Sequence, residues 1–388
     1  MTPRVLIVGV STRALAESAA RAGYRVLAVD GFGDLDLRRV AEVRVACDAR
    51  GRFSPGAAVR AARGARAESV VYAASFENHP RAVRTIAAER ALWGNPPEVL
   101  ERVRNPLLVA ATLAQHDLAT PAVRAAAPRS GRGSRSWLAK PRASGGGSGI
   151  VAWRPGWRAP RDAYFQERIA GVPGSIVFAA DGRRAVPLGF SRLLAGERAF
   201  GATGFRYSGN ILVGRGDAAF SDVERLCARA IALAEVITRE FGLVGVNGID
   251  FIARRGTPYP IEVNPRYTAA MELVERAYGL SIFDIHARAC TGNLPAFDLA
   301  GARHTSMATG KAILYARGDV VLGDTRPWLD DDSVRDVSAP GERCRRGQPI
   351  CTIFAAGRDA AECRAALGNR AAALYAEVEG HDARARSA

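Results

Sequence analysis

Residues 246–266, VNGIDFIARRGTPYPIEVNPR, constrain the fold more than any other stretch. Two β-rich runs flank a turn that holds Gly256 and Pro258, which predicts an antiparallel hairpin. Centred on Gly256, the hairpin sets Asp250 opposite Glu262. Side chains alternate along a strand, so Ile249, Phe251, Ile261 and Val263 share an apolar face, and Asp250, Glu262 and Asn264 share the other. Directly opposed Cβ atoms stand about 4.5–5.5 Å apart. Two carboxylates so placed repel unless a cation lies between them. Mg²⁺, with Mn²⁺ as the alternative, is a hard ion that takes carboxylate and amide oxygens. Asp250, Glu262 and Asn264 are therefore candidate metal ligands. Arg266 continues their face and is placed to meet a phosphate or a transferred group. A register slipped by one residue would undo this geometry, and a merely solvated polar face is the competing reading.

A second feature lies at residues 137–150, WLAKPRASGGGSGI. Lysine occurs only here and at 311, in a chain whose combined Lys and Arg count is 54. Lys140 ends an apolar strand and is followed by Ser144, Gly145, Gly146, Gly147, Ser148 and Gly149. Glycines let backbone N–H groups close on phosphate oxygens. A lysine is a compact charge on a flexible stem, where Arg is a bulkier planar fork. The lysine precedes the glycines, so this is not a Walker A loop. Residues 163–182 then read as two strands joined by a crossing segment. Such a segment can present its backbone to an adenine edge, and Gln166 and Glu167 are polar where the apolar run ends.

The N-terminal residues form a βαβ pattern: strand 4–10, helix 12–23, strand 24–30. Asp30 tempts one towards a dinucleotide site, but the glycine fingerprint fails at Ser11 and Ala14. Residues 69–75 read as another strand of the same sheet. Residues 93–106 are rich in turn formers and mark a boundary. Strands dominate 163–265, broken by a long helix over 221–242, and the tail carries short strands before a last helix. The expected class is α/β: a Rossmann-like N-terminal domain over 1–95, a two-lobed α+β domain over 96–300 and a β-rich C-terminal segment with a terminal helix over 301–388.

Six scattered cysteines without metal-ligand spacing read as reduced cytoplasmic thiols. No apolar run reaches the length of a membrane span. The net charge is +15. Its arginines lack basic runs interleaved with aromatics, so a nucleic-acid partner is not expected. An anionic small molecule suits the charge better. Arg192 and Arg206 are candidates to meet it if the family resemblance described below places their segments beside the acceptor, and Lys311 either reaches the same site from the tail or merely ends a strand.

The order of Lys140 and its glycine loop, a QE-x-I segment, then D-x(11)-E-x-N-x-R, resembles the ATP-grasp superfamily. The segments STRALAESAARAGYRVLAVDGFGDLD and RYSGNILVG look closer still to a branch of predicted ATP-dependent carboligases related to biotin carboxylase, some of which accompany one-carbon-carrier pathways. The resemblance implies that Lys140 and residues 144–149 hold ATP phosphates. It makes Gln166, Glu167 and Ile169 the adenine hinge, and Asp250, Glu262 and Asn264 the Mg²⁺ ligands. Arg266 would steady a phosphorylated intermediate. It implies a ligase that joins a carboxylate to an amine through an acylphosphate. A carboxylase acting through carboxyphosphate and a non-catalytic ATP-binding regulator are the alternatives, and a homodimer is compatible with the resemblance. The sequence departs from the family at Asn105-Pro106, where a second ATP-contacting lysine is usual. That contact is lost or passes to Arg102 or Arg104.

Overall fold

A computed structural model describes residues 2–48, 51–128, 136–154, 156–157, 160–214 and 216–387. The N-terminal part alternates strand and helix: β1 (Arg4–Val8), α1 (Arg13–Arg21), β2 (Arg25–Asp30), α2 (Leu35–Val40), β3 (Ala41–Val45), α3 (Pro55–Ala61), β4 (Ser69–Tyr72), α4 (Pro80–Ala87) and β5 (Ala91–Leu92). These strands form one parallel sheet in the order β3-β2-β1-β4-β5. Val5, Leu6, Ile7 and Val8 are fully buried, as a parallel strand covered on both faces requires. Asp30 ends β2 and accepts hydrogen bonds from the Thr12 amide at 2.7 Å and hydroxyl at 2.8 Å, and from the amides of Phe32 at 2.7 Å and Gly33 at 2.8 Å. Its acceptor capacity is thus used by the scaffold itself.

The chain then runs through α5 (Pro97–Val103) and α6 (Pro106–Gln115) into a small antiparallel sheet. Its strands are β6 (Val123–Arg124), β7 (Trp137–Pro141), β8 (Val151–Ala152) and β9 (Ala163–Glu167), in the order β6-β9-β7-β8. The polar connection expected over 125–135 falls partly on residues 129–135, which lie outside the described residues.

The rest builds a second, larger sheet. Its members are β10 (Val172–Asp181), β11 (Ala185–Ala195), β12 (Tyr207–Leu212), β13 (Val244–Arg254) and β14 (Thr257–Asn264). Three tail strands continue it, β15 (Ala308–Tyr315), β17 (Val334–Arg335) and β19 (Pro349–Gly357), while the intervening two-residue β16 (Val320–Val321) and β18 (Arg343–Cys344) pair apart from it. The order is β14-β13-β10-β11-β12-β15-β19-β17, so the tail extends the central sheet. Alternation along β10 sets the two faces. Ile176 and Phe178 pack with Leu226, Leu233 and Ile237 of α7 (Val223–Phe241). Val177 and Ala179 pack on the other face with Met271 and Val274 of α8 (Ala269–Tyr278), Phe283 of α9 (Ile282–Ala289) and Leu15 of α1. Fully burying one such side chain contributes about 1.5–3 kcal/mol. After a short α10 (Leu299–Thr305), the chain ends in α11 (Ala360–Ser387), which covers the tail strands through Cys363, Leu367 and Leu374.

Candidate functional site

The hairpin β13–β14 pairs Asp250 directly with Glu262, Ile249 with Val263 and Gly248 with Asn264, as its sequence predicts. The turn differs from the expectation. Arg254 pairs with Thr257, leaving a two-residue turn in which Arg255 and Gly256 have φ of +52° and +68°. Both values are positive, as a tight hairpin turn requires. Centring on that turn alone would put Asp250 out of step with Glu262. A bulge corrects it: Phe251 pairs with Pro260, and Ile261 is the extra residue. Ile261 therefore leaves the apolar face expected for it and lines a cleft. Its carbonyl accepts the Lys140 ammonium at 2.9 Å.

Asn264 Nδ2 donates to Asp250 Oδ2 at 3.0 Å. Burial and the neighbouring Glu262 push the Asp250 carboxyl up to about 6. Burial acts on Glu262 in the same sense, but Arg104, Lys140 and Arg266 outweigh it and hold that carboxyl below its usual value. Like charges thus stand opposed on the strand pair, and this donor set of two carboxylates and one amide fits a hard divalent cation. Among the described residues no group of three or more His, Cys, Asp or Glu forms a metal cluster, so the amide of Asn264 is needed to complete the set.

Across the cleft, Lys140 is 6% exposed at the end of β7, opposite Tyr164 of β9. Its ammonium also donates to Gln166 Oε1 at 3.1 Å and lies 5.7 Å from the Tyr164 ring centre. Gln166 is therefore turned to the lysine. Glu167 is tied to Ala122, accepting its amide at 3.1 Å and donating its own to the Ala122 carbonyl at 2.8 Å. Ile169 is buried, and neither Glu167 nor Ile169 lines the cleft, whereas Gln166 does. Ser144, Gly145 and Gly147 line it. A Cβ at Gly147 would fall 1.8 Å from the Phe205 carbonyl oxygen, so no side chain fits there. The Tyr207 amide donates to the Gly146 carbonyl at 3.0 Å, so the loop bridges from the small sheet to the large one.

Two residues that the sequence reading missed complete the site. A 3₁₀ turn, Phe76–Asn78, follows Ser75, which has φ of +79°. Glu77, 1% exposed, accepts Arg266 Nε at 2.8 Å, and Arg266 Nη2 donates to Asn264 Oδ1 at 3.2 Å. Asn78 Oδ1 accepts Arg104 Nη2 at 2.8 Å. Polar residues just beyond a buried parallel strand were the available signal, because ligands of α/β sheets gather at those strand ends. Arg104 reaches the cleft, whereas Arg102 donates to the Glu240 carbonyl at 2.9 Å and lies over Phe241.

The three residues expected to meet an acceptor do not converge. Arg192 projects from the face of β11 opposite the carboxylates and pairs with Asp217 at 3.3 Å. Strand alternation is the reason: Ser191 and not Arg192 shares the face of Asp250 through Ser175. Lys311 is on the carboxylate face but 4% exposed, and its ammonium meets Glu272 Oε2 at 2.6 Å. Arg206 is exposed near the glycine loop, donating to the Gly347 carbonyl at 2.5 Å with its guanidinium 4.7 Å from the Tyr315 ring centre.

The fold is α/β: a parallel N-terminal sheet, followed by a cleft between a small antiparallel sheet with a glycine loop and a larger sheet with opposed carboxylates. Residues 103–270 match the family model of the ATP-grasp domain. No curated protein matches it in sequence. Among solved structures it is similar to an ADP complex of N5-carboxyaminoimidazole ribonucleotide synthetase, at 16% identity and a TM-score of 0.67 over 98% of this chain and 99% of the other. An L-amino acid ligase from Bacillus licheniformis matches at 16% identity and TM-score 0.65 over 95% and 96%. The biotin carboxylase domain of Hydrogenobacter thermophilus 2-oxoglutarate carboxylase, a dimer solved with MgADP and bicarbonate, matches at 13% and 0.66 over 92% and 87%. At these identities the likeness is one of fold. No helix among the described residues is long and apolar enough to cross a membrane.

Proposed function

We propose that the protein is an ATP-dependent ligase that joins a small carboxylate to an amine through an acylphosphate, releasing ADP and phosphate. The observation that carries this reading is Glu262, paired with Asp250 on the hairpin, lining one cleft with Lys140 and the glycine loop. On this reading the chain divides into a Rossmann-like domain over 1–95, an ATP-grasp domain over 96–300 and a tail over 301–388.

Lys140 places a point charge against the nucleotide phosphates, with residues 144–149 supplying backbone donors. Gln166 holds the lysine in place, and the backbone from Glu167 to Ile169, just beyond the cleft, is the segment proposed to meet the base. Asp250, Glu262 and Asn264 would hold Mg²⁺ or Mn²⁺, which when bound neutralises charge on the phosphates. Arg266, oriented by Glu77, is positioned to steady the carboxylate oxygen that develops charge as the amine attacks. No side-chain nucleophile is required, and catalysis is positioning and electrostatics.

Product analysis tests the reaction class: ADP with phosphate is expected when pools of acids and amines are screened, and AMP with pyrophosphate would overturn it. A second reading draws support from the carboxylase-like neighbours. Bicarbonate is the smallest carboxylate, and the same cleft would then form carboxyphosphate. ADP release that requires bicarbonate and one amine, with no other acid, would select it. A regulator that binds ATP without turning it over would show nucleotide binding but no ADP with any pool. The substrates are read as small molecules. Arg192 and Lys311 are neutralised by carboxylates, so the case for an anionic acceptor now rests on Arg206 and Arg266. A place in cofactor biosynthesis, in the cytoplasm and as a homodimer, is part of the same proposal.

A further inference from the structure

We propose that a cavity apart from the cleft around Lys140 binds a small oxyanion, a carboxylate or phosphate group, through Arg276 and Arg335. Three parts of the chain meet there. α1 sets Arg13, Glu17 and Arg21 at four-residue spacing, so they share one helix face. α8 sets Glu272, Glu275 and Arg276 at spacings of three and four, and β17 supplies Arg335. Glu17, Arg21, Glu272, Glu275, Arg276 and Arg335 line a cavity of about 260 Å³. One water needs about 10–15 Å³, so the space admits a polyatomic ion. None of these residues lines the cleft that holds Lys140 and Glu262.

Each carboxylate of the cavity already has a cation. Glu272 takes Arg13 and, at 2.6 Å, Lys311. Glu275 takes Arg21 at 2.6 Å. Glu17 takes Arg13 at 3.2 Å, with Arg335 3.6 Å away. The arginines are not matched in return. Arg276 donates to the Asp332 carbonyl at 3.0 Å and lies with its guanidinium 3.6 Å from the Phe354 ring centre; among the described residues it joins no ion pair. Arg335 Nη2 reaches Asp332 Oδ1 at 3.1 Å, but that carboxylate is fully exposed. An ion pair with so exposed an acid is weak. Two guanidiniums thus converge on Asp332, whose side chain a ligand can replace.

A guanidinium offers five donors in a planar fork and takes carboxylate or phosphate oxygens in bidentate pairs. Contact with Phe354 holds the Arg276 fork in place before a ligand arrives, which lowers the cost of binding. An oxyanion seated between the two forks bridges α8 and the tail beside α1. It has no such site on the unfolded chain, so it should also raise thermal stability as its concentration rises.

The test is calorimetric titration of the nucleotide-free protein with inorganic phosphate and, separately, with succinate, at fixed ionic strength. Binding of at least one is expected, and the tighter of the two names the oxyanion. Arg276→Gln should weaken it about tenfold or more. Asp332→Asn removes the competing carboxylate and should tighten it several-fold. Opposite signs at two residues that touch each other are not produced by a merely structural role, and Asp332→Asn carries the test if Arg276→Gln does not fold. Lys140→Met removes one positive charge from the other cleft and should leave this binding unchanged. Three results each overturn the proposal: neither ion binds the unaltered protein, Asp332→Asn binds no tighter, or binding is lost in Lys140→Met and kept in Arg276→Gln. No nucleotide enters the experiment, so its failure leaves the ligase reading standing.

Discussion

Lys140 and Lys311 are both buried, at 6% and 4% exposure, yet their partners differ in kind. Lys140 donates to two neutral oxygens, Gln166 Oε1 and the Ile261 carbonyl. Lys311 donates to the carboxylate of Glu272 on α8, which also takes Arg13 from α1. Arg13 in turn reaches Asp336 Oδ1 at 2.9 Å beside β17 in the tail. Against the raising effect of burial, Arg13 and Lys311 hold Glu272 far below the ordinary carboxylate range. At the hairpin the balance is divided: Arg104, Lys140 and Arg266 hold Glu262 low, while burial and Glu262 push Asp250 up. The same residue types thus build two different things. Where opposite charges match, they tie the N-terminal part, the central sheet and the tail together. At the hairpin two carboxylates face each other, Asp250 has no cation among the described residues paired to it at salt-bridge distance, and the hydrogen bonds of Lys140 go to neutral oxygens.

The comparison is broken most severely by removing one member of the matched cluster. Lys311→Met leaves Glu272 short of a partner in a buried place, and losses of this kind run to about 3–5 kcal/mol. Chemical denaturation should show that loss, whereas Lys140→Met should unfold close to the unaltered protein. Equal destabilisation by the two substitutions would erase the distinction.

Lys140→Arg keeps the charge but sets a bulky fork beside the glycine loop. Turnover should fall by a factor on the order of 10²–10³ with little change in stability. Lys311→Arg should lower stability before it affects rate. Near-normal turnover in Lys140→Arg would make that lysine incidental.

Acid separates the matched cluster from a third buried group. His286 on α9 accepts the Val246 amide at 3.0 Å through Nδ1, its Nε2 lies 3.2 Å from the Trp93 carbonyl, and burial lowers it to about 4. A histidine depressed in the folded state stays neutral there while the unfolded chain takes up a proton. Stability should therefore fall as pH drops from about 6.5 towards 4, by at most about 1.4 kcal/mol per unit. Glu272 is depressed as an acid, so its contribution is present above the unfolded carboxylate value and is lost below about pH 4.3. Denaturation at stepped pH, repeated on His286→Gln, checks this: the slope above pH 4.3 should flatten in the variant, and an unchanged slope would assign it to another group.

The smallest effect is expected at Asp250. Asp250→Asn removes one of two like charges set opposite on a strand pair and should raise the stability of the metal-free protein by up to about 1 kcal/mol. It should also abolish the stabilisation that Mg²⁺ and nucleotide give together. A variant that loses stability without metal would place Asp250 among the matched pairs.

Much of the fold was legible because it rests on local periodicity. The βαβ start, the long helix α7 and the hairpin all follow from apolar spacing and turn residues that neighbours in sequence supply. The pairing of Asp250 with Glu262 was legible too, although the bulge at Ile261 that restores it was not. The bulge depends on how β14 meets β13 and the lysine beyond it. The hydrogen bond from Lys140 to Gln166 was not legible, because the ammonium that claims the Gln166 side chain comes from a neighbouring strand.

The sequence by itself determined which strands alternate, where the chain must turn, and which residues share a face with Asp250. Those are consequences of backbone geometry over a few residues. Only the tertiary structure decided which charges were already matched. Glu77 lies 189 residues from Arg266 and Arg13 lies 259 from Glu272. Electrostatic interaction depends on distance in space and on burial, and neither is written in the local sequence. That is why Lys140 and Lys311, indistinguishable as letters, became a cation facing the cleft and a cation held inside the core.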